Sequence, residues 1–298
     1  MKIRMKDKVL FGDCRDTLAQ IARSDSKARM CITSPPYYGL RDYGKEDSQI
    51  GLEQSPEEFI DELVKVFRGV RDCLTDDGTL WVNIGDSYYN YRGGKGQALP
   101  KQSVAKTNQD LPQGINPRRG NKLKGYKEKD LIGIPWMLAF ALRKDGWYLR
   151  QDIIWSKPNP MPESVRDRCT KSHEYIFLLS KSQNYYFDVN SIKEPTVDKK
   201  GMKRKKSVWE VKTKPYKGAH FAVYPTELIV SPILAGSKEG DIILDPFMGS
   251  GTTAAVAKSL DRHYLGCELH EEYDELIQKR VNEVTDNKTS RSPLDQLM

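Results

Sequence analysis

A short segment near the amino terminus combines a rigid backbone, a hydroxyl group and an aromatic ring. Residues 33–37, with the sequence TSPPY, directly follow the apolar run 30–32. The prolines stiffen the backbone and remove N–H donors, so carbonyl oxygens can face a ligand without competition. The hydroxyl of Ser34 can donate or accept, and Tyr37 offers a flat face for stacking on a base. This segment could hold an exocyclic amino group by positioning alone, although Ser-Pro-Pro also occurs in ordinary linkers.

A second segment has the composition of a ligand-binding loop. Residues 245–253, with the sequence DPFMGSGTT, follow another apolar run at 242–244. Gly249 and Gly251 allow a sharp turn and a close approach of the backbone to a ligand. Thr252 then begins a predicted helix, whose N-terminal amides can hold a polar or anionic group. We therefore expect a cofactor loop at this position.

Two observations narrow the ligand of this loop. It is not a Walker phosphate loop, because no Gly-Lys-Ser/Thr follows. Ala254 occupies the last position of the dinucleotide pattern G-x-G-x-x-G/A, so dinucleotide binding stays open. Glu268 ends the next predicted strand, where a carboxylate can accept hydrogen bonds from both ribose hydroxyls of an adenosine. A nucleoside-containing cofactor is therefore expected.

The charge distribution indicates an acidic partner. The chain has 298 residues and a formal net charge of +7, with a pI near 8.9. Its basic residues concentrate at 118–129 and at 199–217, and such clusters neutralise nucleic-acid phosphates. Solvated, mobile loops are the alternative interpretation of the same two stretches.

Cysteine and apolar patterns indicate a soluble intracellular protein. The five cysteines are odd in number and form no C-x-x-C pair, and the four histidines show no ligand spacing. Reduced thiols and no metal site are therefore expected. No apolar run is long enough to span a bilayer, and the amino terminus leads into no signal segment. We expect a cytoplasmic location.

Predicted strands and helices alternate along most of the chain. This alternation predicts an α/β fold with a doubly wound, mostly parallel sheet covered by helices on both faces. Ser55, Pro56 and Glu58 predict a capped helix start, and Asp77-Gly78 is expected to end that helix before a strand at 80–84. Ligands of such sheets bind at the carboxyl ends of the strands, where both segments described above lie.

The two segments, in this order, resemble those of the DNA methyltransferases that use S-adenosylmethionine to methylate exocyclic amino groups. In the permuted group of that family, often called beta, an S/D-P-P-Y segment precedes an F-x-G-x-G segment, and target recognition lies between them. Residues 33–37 and 245–253 match both segments. Residues 220–225, 12–14 and 155–160 look like the family's other cofactor-side segments and its loop flanking the flipped base. The chain is most similar to phage and prophage methylases.

The resemblance implies a role for each matching residue. The enzyme would bind double-stranded DNA and flip a base, whose amino nitrogen attacks the methylsulfonium of S-adenosylmethionine. Ser34 and the Pro35 carbonyl would hold the amino group, Pro36 would complete the loop, and Tyr37 would stack on the base. The implied cofactor-binding residues are Asp13, Thr33, Phe221, Asp245, Phe247, Gly249, Ser250, Gly251, Thr252, Thr253 and Glu268. The implied DNA-binding residues are Lys157, Arg118, Arg119, Lys203, Arg204, Lys205 and Lys206.

The implied domain organisation divides the methyltransferase fold around two basic stretches. Residues 1–90 would form its catalytic half, 91–130 a basic polar insertion, 131–187 a continuation of the catalytic half, 188–217 a target-recognition segment, and 218–298 the cofactor-binding half. A cognate restriction endonuclease is a further implied partner.

The identity of the target leaves alternatives. Family members with Ser at the position of Ser34 are mostly cytosine-N4 methylases, so cytosine is preferred over adenine N6. An RNA or protein methyltransferase is a second reading, but the protein-glutamine methylases carry N-P-P-Y after the cofactor loop. A catalytically silent DNA-binding module or a nucleotide-dependent oxidoreductase is a third, and the oxidoreductase leaves residues 34–37 without a role.

Overall fold

The computed structural model describes residues 5–39, 49–89, 123–198, 200–213 and 224–287. In these ranges the strands are β1 (Lys8–Phe11), β2 (Ala28–Thr33), β3 (Leu74–Ile84), β4 (Tyr148–Ser156), β5 (His173–Ser180), β6 (Glu194–Pro195), β7 (Met202–Lys203), β8 (Val208–Glu210), β9 (Ile242–Asp245) and β10 (His263–Glu268). The helices are α1 (Cys14–Arg23), α2 (Pro56–Cys73), α3 (Ile134–Lys144), α4 (Thr226–Gly236), α5 (Thr252–Ser259) and α6 (Asp274–Asn287), the last preceded by a 3₁₀ turn (Glu271–Tyr273).

An eight-stranded sheet forms the centre of the fold. Its spatial order is β1-β10-β9-β2-β3-β5-β4-β8. All neighbours from β1 to β3 are parallel, β5 runs antiparallel to both β3 and β4, and β8 is parallel to β4. The predicted doubly wound, mostly parallel sheet is confirmed. One edge of this sheet therefore holds the carboxyl ends of β1, β2, β3, β4, β9 and β10 together with the amino end of β5.

Helices cover both faces of the sheet, and the pleat of each strand divides its side chains between them. On β3, Leu80 and Val82 join the cluster that contains Phe67 of α2. Trp81 points to the opposite face and joins the cluster that contains Ile233 of α4. Because the central strands are buried on both sides, they are continuously apolar. This rigid three-layer frame positions the loops at the carboxyl edge.

The start of α2 follows most of its predicted capping pattern. The Ser55 hydroxyl accepts a hydrogen bond from the amide of Glu58 at 3.2 Å, and Pro56 occupies the first turn. In a complete capping box the Glu58 carboxylate would accept from the amide of Ser55, but here it accepts from the amide of Gln54 at 3.0 Å. The helix start is thus fixed by one half of a capping box and one neighbouring contact.

The predicted boundary between α2 and β3 was wrong. The helix ends at Cys73 and the strand begins at once with Leu74, so Asp77-Gly78 lies inside the strand. The pairing with β2 is irregular at this place. A Cβ atom on Gly78 would lie 2.9 Å from the Leu74 Cβ, which only glycine avoids. The glycine therefore serves close packing in an irregular strand and does not end the helix.

The basic stretch 188–217 is partly built into the fold. β6 and β7 pair with each other, and β8 adds a short parallel strand to the edge of the main sheet. Trp209 on β8 is buried and donates its indole N–H to the carbonyl of Lys206 at 2.6 Å. The interpretation as a wholly solvated loop is corrected, because one aromatic anchor fixes this stretch to the sheet. Among the described residues, no helix is long and apolar enough to cross a membrane.

Candidate active site

The segment after β2 forms a tight loop whose aromatic ring is anchored by its hydroxyl. Tyr37 is partly buried and donates a hydrogen bond from its hydroxyl to Glu174 Oε2 at 2.6 Å. Burial raises the pKa of this hydroxyl well above its ordinary value, and the negative charge of Glu174 adds to the shift. The side chain of Ser34 and the amide of Gly85 act in the opposite direction and lower this pKa. The ring is thus held at its polar edge.

A single buried carboxylate organises the second loop. Asp245 ends β9, is 2% exposed and accepts hydrogen bonds from Thr33 Oγ1 at 2.6 Å and from the amide of Phe247 at 3.0 Å. Its other oxygen accepts from Thr253 Oγ1 at 2.5 Å and from the Tyr224 hydroxyl at 3.2 Å. Burial raises the pKa of Asp245 despite these four donors. This carboxylate joins the end of β2, the glycine loop, the residue Tyr224 ahead of α4, and the first turn of α5.

The glycines of the loop turn the chain as predicted. Gly249 and Gly251 have φ angles of +54° and +81°, which favour glycine. A Cβ atom on Gly251 would also lie 3.1 Å from the Cα atom of Ile277 on α6. Gly251 precedes α5 and provides no side chain to cap its first amides. The glycine turn therefore packs closely against α6.

Glu268 reaches the loop from the end of β10. Its side chain accepts from the amide of Gly249 at 2.7 Å and from the amide of His270 at 3.0 Å. Glu268 is 7% exposed, and burial raises the pKa of its carboxyl group. Glu268 and the glycine loop, both predicted to bind the cofactor, are therefore in direct contact.

Asp13 lies at the same edge but its carboxylate is already engaged. The amide of Gly12 donates to the Glu268 carbonyl at 2.8 Å, which places the turn after β1 beside the end of β10. The Asp13 side chain caps α1 by accepting from the amide of Arg15 at 2.8 Å, and it also forms a salt bridge with the Arg15 guanidinium. The side chain thus shapes the turn.

Lys157 lies beside the aromatic loop and not on an exposed face. Its ammonium group forms a salt bridge with Glu174 and sits 4.4 Å from the ring centroid of Trp155. Because Glu174 also holds Tyr37, the predicted DNA-binding lysine belongs to the cluster around this tyrosine. Its predicted role in DNA binding, within the loop that flanks the flipped base, stays a prediction.

The remaining predicted DNA-binding residues divide into two groups. Arg204 and Lys206 are exposed, whereas Lys203 is partly buried. Lys205 pairs with Glu194 at 2.7 Å and lies over the ring of Trp209. The predicted residues outside the described ranges are Arg118, Arg119 and Phe221.

Three side chains that contact the two loops, and a fourth that contacts one of these three, were not predicted as site residues. Tyr224 touches Asp245, Asn83 and Glu174 belong to the cluster around Tyr37, and Arg280 on α6 donates to Ser250 Oγ at 2.6 Å and to Thr252 Oγ1 at 2.7 Å. Only Tyr224 stood within a segment of recognisable pattern, at 220–225. Asn83 and Glu174 gave only the signal of a polar residue in or beside an apolar run, and Arg280 lies in a polar stretch that gave no signal.

Comparisons with known proteins identify the family to which this chain is similar. The family model N6_N4_Mtase, described as DNA methylase, matches residues 28–279. The Type II methyltransferase M.Cfr9I of Citrobacter freundii is 51% identical over 271 residues, which are 89% of this chain and 85% of that protein.

Two solved structures show the same fold. The cytosine-N4-specific PvuII DNA methyltransferase has a TM-score of 0.64 and 18% identity, covering 95% of this chain and 91% of that chain. The complex of M1.HpyAVI with SAM has a TM-score of 0.56 and 18% identity, covering 93% of this chain and 100% of that chain. Because the family model spans both loops and the relative matches most of the chain, this protein belongs to the N4/N6 family of DNA methylases, which use S-adenosylmethionine as their cofactor.

Proposed function

We propose that the protein methylates the N4 amino group of cytosine within a specific DNA sequence; alternative targets are adenine N6 and, less favoured, RNA or protein. The contact between Thr33 and Asp245 carries this proposal. Thr33 directly precedes Ser34, and Asp245 is the first residue of the glycine loop. A segment suited to an amino group and a loop suited to a nucleoside cofactor therefore lie side by side at the ligand-binding edge of the sheet.

The acceptor side of the proposed reaction needs no nucleophilic side chain. Ser34 and the Pro35 carbonyl would accept hydrogen bonds from the amino hydrogens, and Pro36 would keep this backbone rigid. Tyr37 would stack on the flipped base with the face of a ring that is held at its hydroxyl. With its hydrogens engaged, the amino nitrogen can direct its lone pair at the methyl group, which is catalysis by positioning. As the nitrogen–carbon bond forms, the methyl–sulfur bond would break with its electron pair left on sulfur, and the nitrogen would then lose one proton.

The donor side fits a nucleoside with a charged sulfonium group. S-adenosylmethionine supplies the activated methyl group when it is bound. Glu268 would accept from the ribose hydroxyls, Phe247 would border the nucleoside, and Gly249 and Gly251 would permit the close approach of the ligand. The buried carboxylate of Glu268 beside the Gly249 amide supports this assignment.

Other cofactor-side residues would act by holding this loop. We propose that Thr33, Asp245 and Thr253 fix its start and its exit into α5 through their shared hydrogen bonds. Ser250 and Thr252 would keep the turn closed through Arg280. Asp13, whose carboxylate caps α1, would contribute the shape of the neighbouring turn.

Cytosine is preferred because of Ser34. The order of the two segments resembles that of the beta group, and in that group Ser at this position occurs mostly in cytosine-N4 methylases and Asp mostly in adenine-N6 methylases. The similarity to phage and prophage methylases stays a prediction.

Target recognition is assigned to the basic stretches. Residues 91–130 and 188–217 lie between the two loops in sequence, and Arg204 and Lys206 of the second stretch are exposed. These side chains would contact phosphates or guanines. The Type II designation of the relative supports a cognate restriction endonuclease as a partner in the same system.

The decisive experiment identifies the methylated base. The purified protein is incubated with labelled S-adenosylmethionine and duplex DNA, and the nucleosides are separated by mass spectrometry. N4-methylcytosine supports the proposal, N6-methyladenine establishes the alternative, and labelled RNA or protein in place of DNA contradicts both. Tyr37→Ala is the matched control, because it should abolish turnover while calorimetry shows an unchanged affinity for the cofactor. Methylation-aware sequencing of host DNA then gives the sequence context.

A further inference from the structure

The carboxylate of Glu174 collects hydrogen bonds from three elements at the carboxyl edge of the sheet. Its Oε2 accepts from the Tyr37 hydroxyl at 2.6 Å and from Asn83 Nδ2 at 3.1 Å, and its Oε1 accepts from the Lys157 ammonium. The donors come from the loop after β2, from β3 and from the residue after β4. The cluster thus ties the aromatic loop to the antiparallel part of the sheet.

The burial of this cluster makes its geometry specific. The side chain of Glu174 is 12% exposed, and Asn83 is 3% exposed. A buried carboxylate is costly unless its charge is paired and its oxygens are hydrogen-bonded. Lys157 supplies the opposite charge, while Asn83 is itself fixed by a second bond to the Tyr175 carbonyl at 3.2 Å. Loss of Lys157 would leave the buried carboxylate without its paired charge.

Gly85 lies close to the edge of the Tyr37 ring. A Cβ atom on this residue would lie 3.0 Å from Tyr37 Cε2 and 3.4 Å from Glu174 Cδ. Gly85 is not among the glycines with positive φ, so its backbone conformation accepts alanine. The absent side chain therefore makes room for the ring and carboxylate.

We propose that Glu174 is a positioning residue, which acts through the Tyr37 hydroxyl to hold the ring in the plane that receives the flipped base. Lys157 and Asn83 hold the carboxylate, and Gly85 leaves the space that the ring edge occupies. This inference rests on the proposed function, since the ring has a base to receive only in a DNA methylase. It gives Lys157 a positioning role through its salt bridge with Glu174.

A double-mutant cycle tests the inference. Glu174→Gln and Tyr37→Phe should each lower the single-turnover methylation rate by about 10- to 100-fold, the range expected for a misplaced reacting group. Because Glu174 acts through the tyrosine hydroxyl, Glu174→Gln should change the rate by less than about twofold in the Tyr37→Phe background. The cofactor dissociation constant should stay unchanged in all three proteins, which a general loss of structure would not produce.

Further variants keep the test informative if Glu174→Gln folds poorly. Gly85→Ala should lower the same rate without a change in cofactor affinity, because the added methyl group displaces the ring. Glu239→Gln, at an exposed position in the turn before β9 and outside both loops and both basic stretches, is the matched control and should leave the rate unchanged.

The outcomes separate this inference from the proposed function. A wild-type protein that binds cofactor but methylates no DNA contradicts the proposed function. A wild-type protein that methylates DNA, with additive effects of Glu174→Gln and Tyr37→Phe, overturns only the role of Glu174. Unchanged rates for both Glu174→Gln and Gly85→Ala overturn it as well.

Discussion

Thr33 donates a hydrogen bond to Asp245 at 2.6 Å, across a separation of 212 residues in sequence. The two residues end β2 and β9, which are adjacent parallel strands. Both loops therefore leave the sheet at the same edge, side by side, whichever comes first along the chain. The order of the two segments along the chain reflects only how the strands are connected. The geometry of the active site depends on β2 and β9 being neighbours in the sheet.

The first prediction concerns this contact. Thr33→Val preserves the side-chain shape and removes the hydroxyl, so a buried carboxylate oxygen loses one of its donors. We expect a loss of about 1 kcal/mol in the free energy of unfolding, measured by urea titration, and a lower methylation rate. Thr33→Ser retains the hydroxyl and should keep most of the rate. Equal rates for Thr33→Val and wild type would show that the contact does not align the loops.

The second prediction separates two reasons for a glycine. Gly251→Ala combines a left-handed backbone with a contact of 3.1 Å to Ile277, whereas Gly240→Ala has a similar φ of +78° and nothing within 4 Å. Gly240→Ala should cost about 1–2 kcal/mol of unfolding free energy from the backbone alone. Gly251→Ala should cost more and should weaken cofactor binding in calorimetry. If both substitutions lower the free energy of unfolding equally and cofactor binding is intact, the close contact between Gly251 and α6 contributes nothing to either property.

Both loops could be predicted from sequence because their information is local. Each consists of a buried apolar strand followed at once by residues that turn the backbone, and the alternation of strands and helices predicts a parallel sheet. Glu268 was predicted for the same reason, since the acidic residue follows the next strand. The direct contact between Glu268 and the Gly249 amide depends only on neighbouring parallel strands.

The rest of the site depends on strand register, which local patterns do not contain. Glu174 meets Tyr37 across 137 residues because β5 inserts between β3 and β4. The sequence of residues 173–180 does not show that Glu174 contacts the loop that carries Tyr37. Asp77-Gly78 was misread for a related reason, since a glycine required by packing has the same sequence signature as a glycine that ends a helix.

The third prediction concerns stability at alkaline pH. Burial raises the pKa of Tyr37 and Tyr224 well above the ordinary value near 10. Above about pH 10 these hydroxyls ionise in the unfolded chain but stay protonated in the folded chain. Their contribution to the free energy of unfolding is therefore complete below about pH 10 and is lost as the pH rises further. Tyr224→Phe should flatten the fall of the unfolding free energy above pH 10 by up to about 1.4 kcal/mol per pH unit.

The slope, and not the absolute stability, is the measurement for this third prediction, because Tyr224→Phe also removes a bond to Asp245 at every pH. Tyr148→Phe removes a hydroxyl from an exposed ring and is the matched control. A slope for Tyr224→Phe equal to that of wild type would contradict the assigned protonation of Tyr224 in the fold.

The fourth prediction concerns the exposed basic residues of the stretch 188–217. If Arg204 and Lys206 contact phosphates, each alanine substitution should lower the slope of log K against log salt concentration by about 0.9, because one fewer counterion is released. Binding of duplex DNA is measured by fluorescence anisotropy across a salt series. Lys279→Ala, an exposed position on α6, is the control that removes the same charge elsewhere. Unchanged slopes for both Arg204→Ala and Lys206→Ala would assign DNA binding to other residues, whereas a change confined to these two locates the phosphate backbone beside β8.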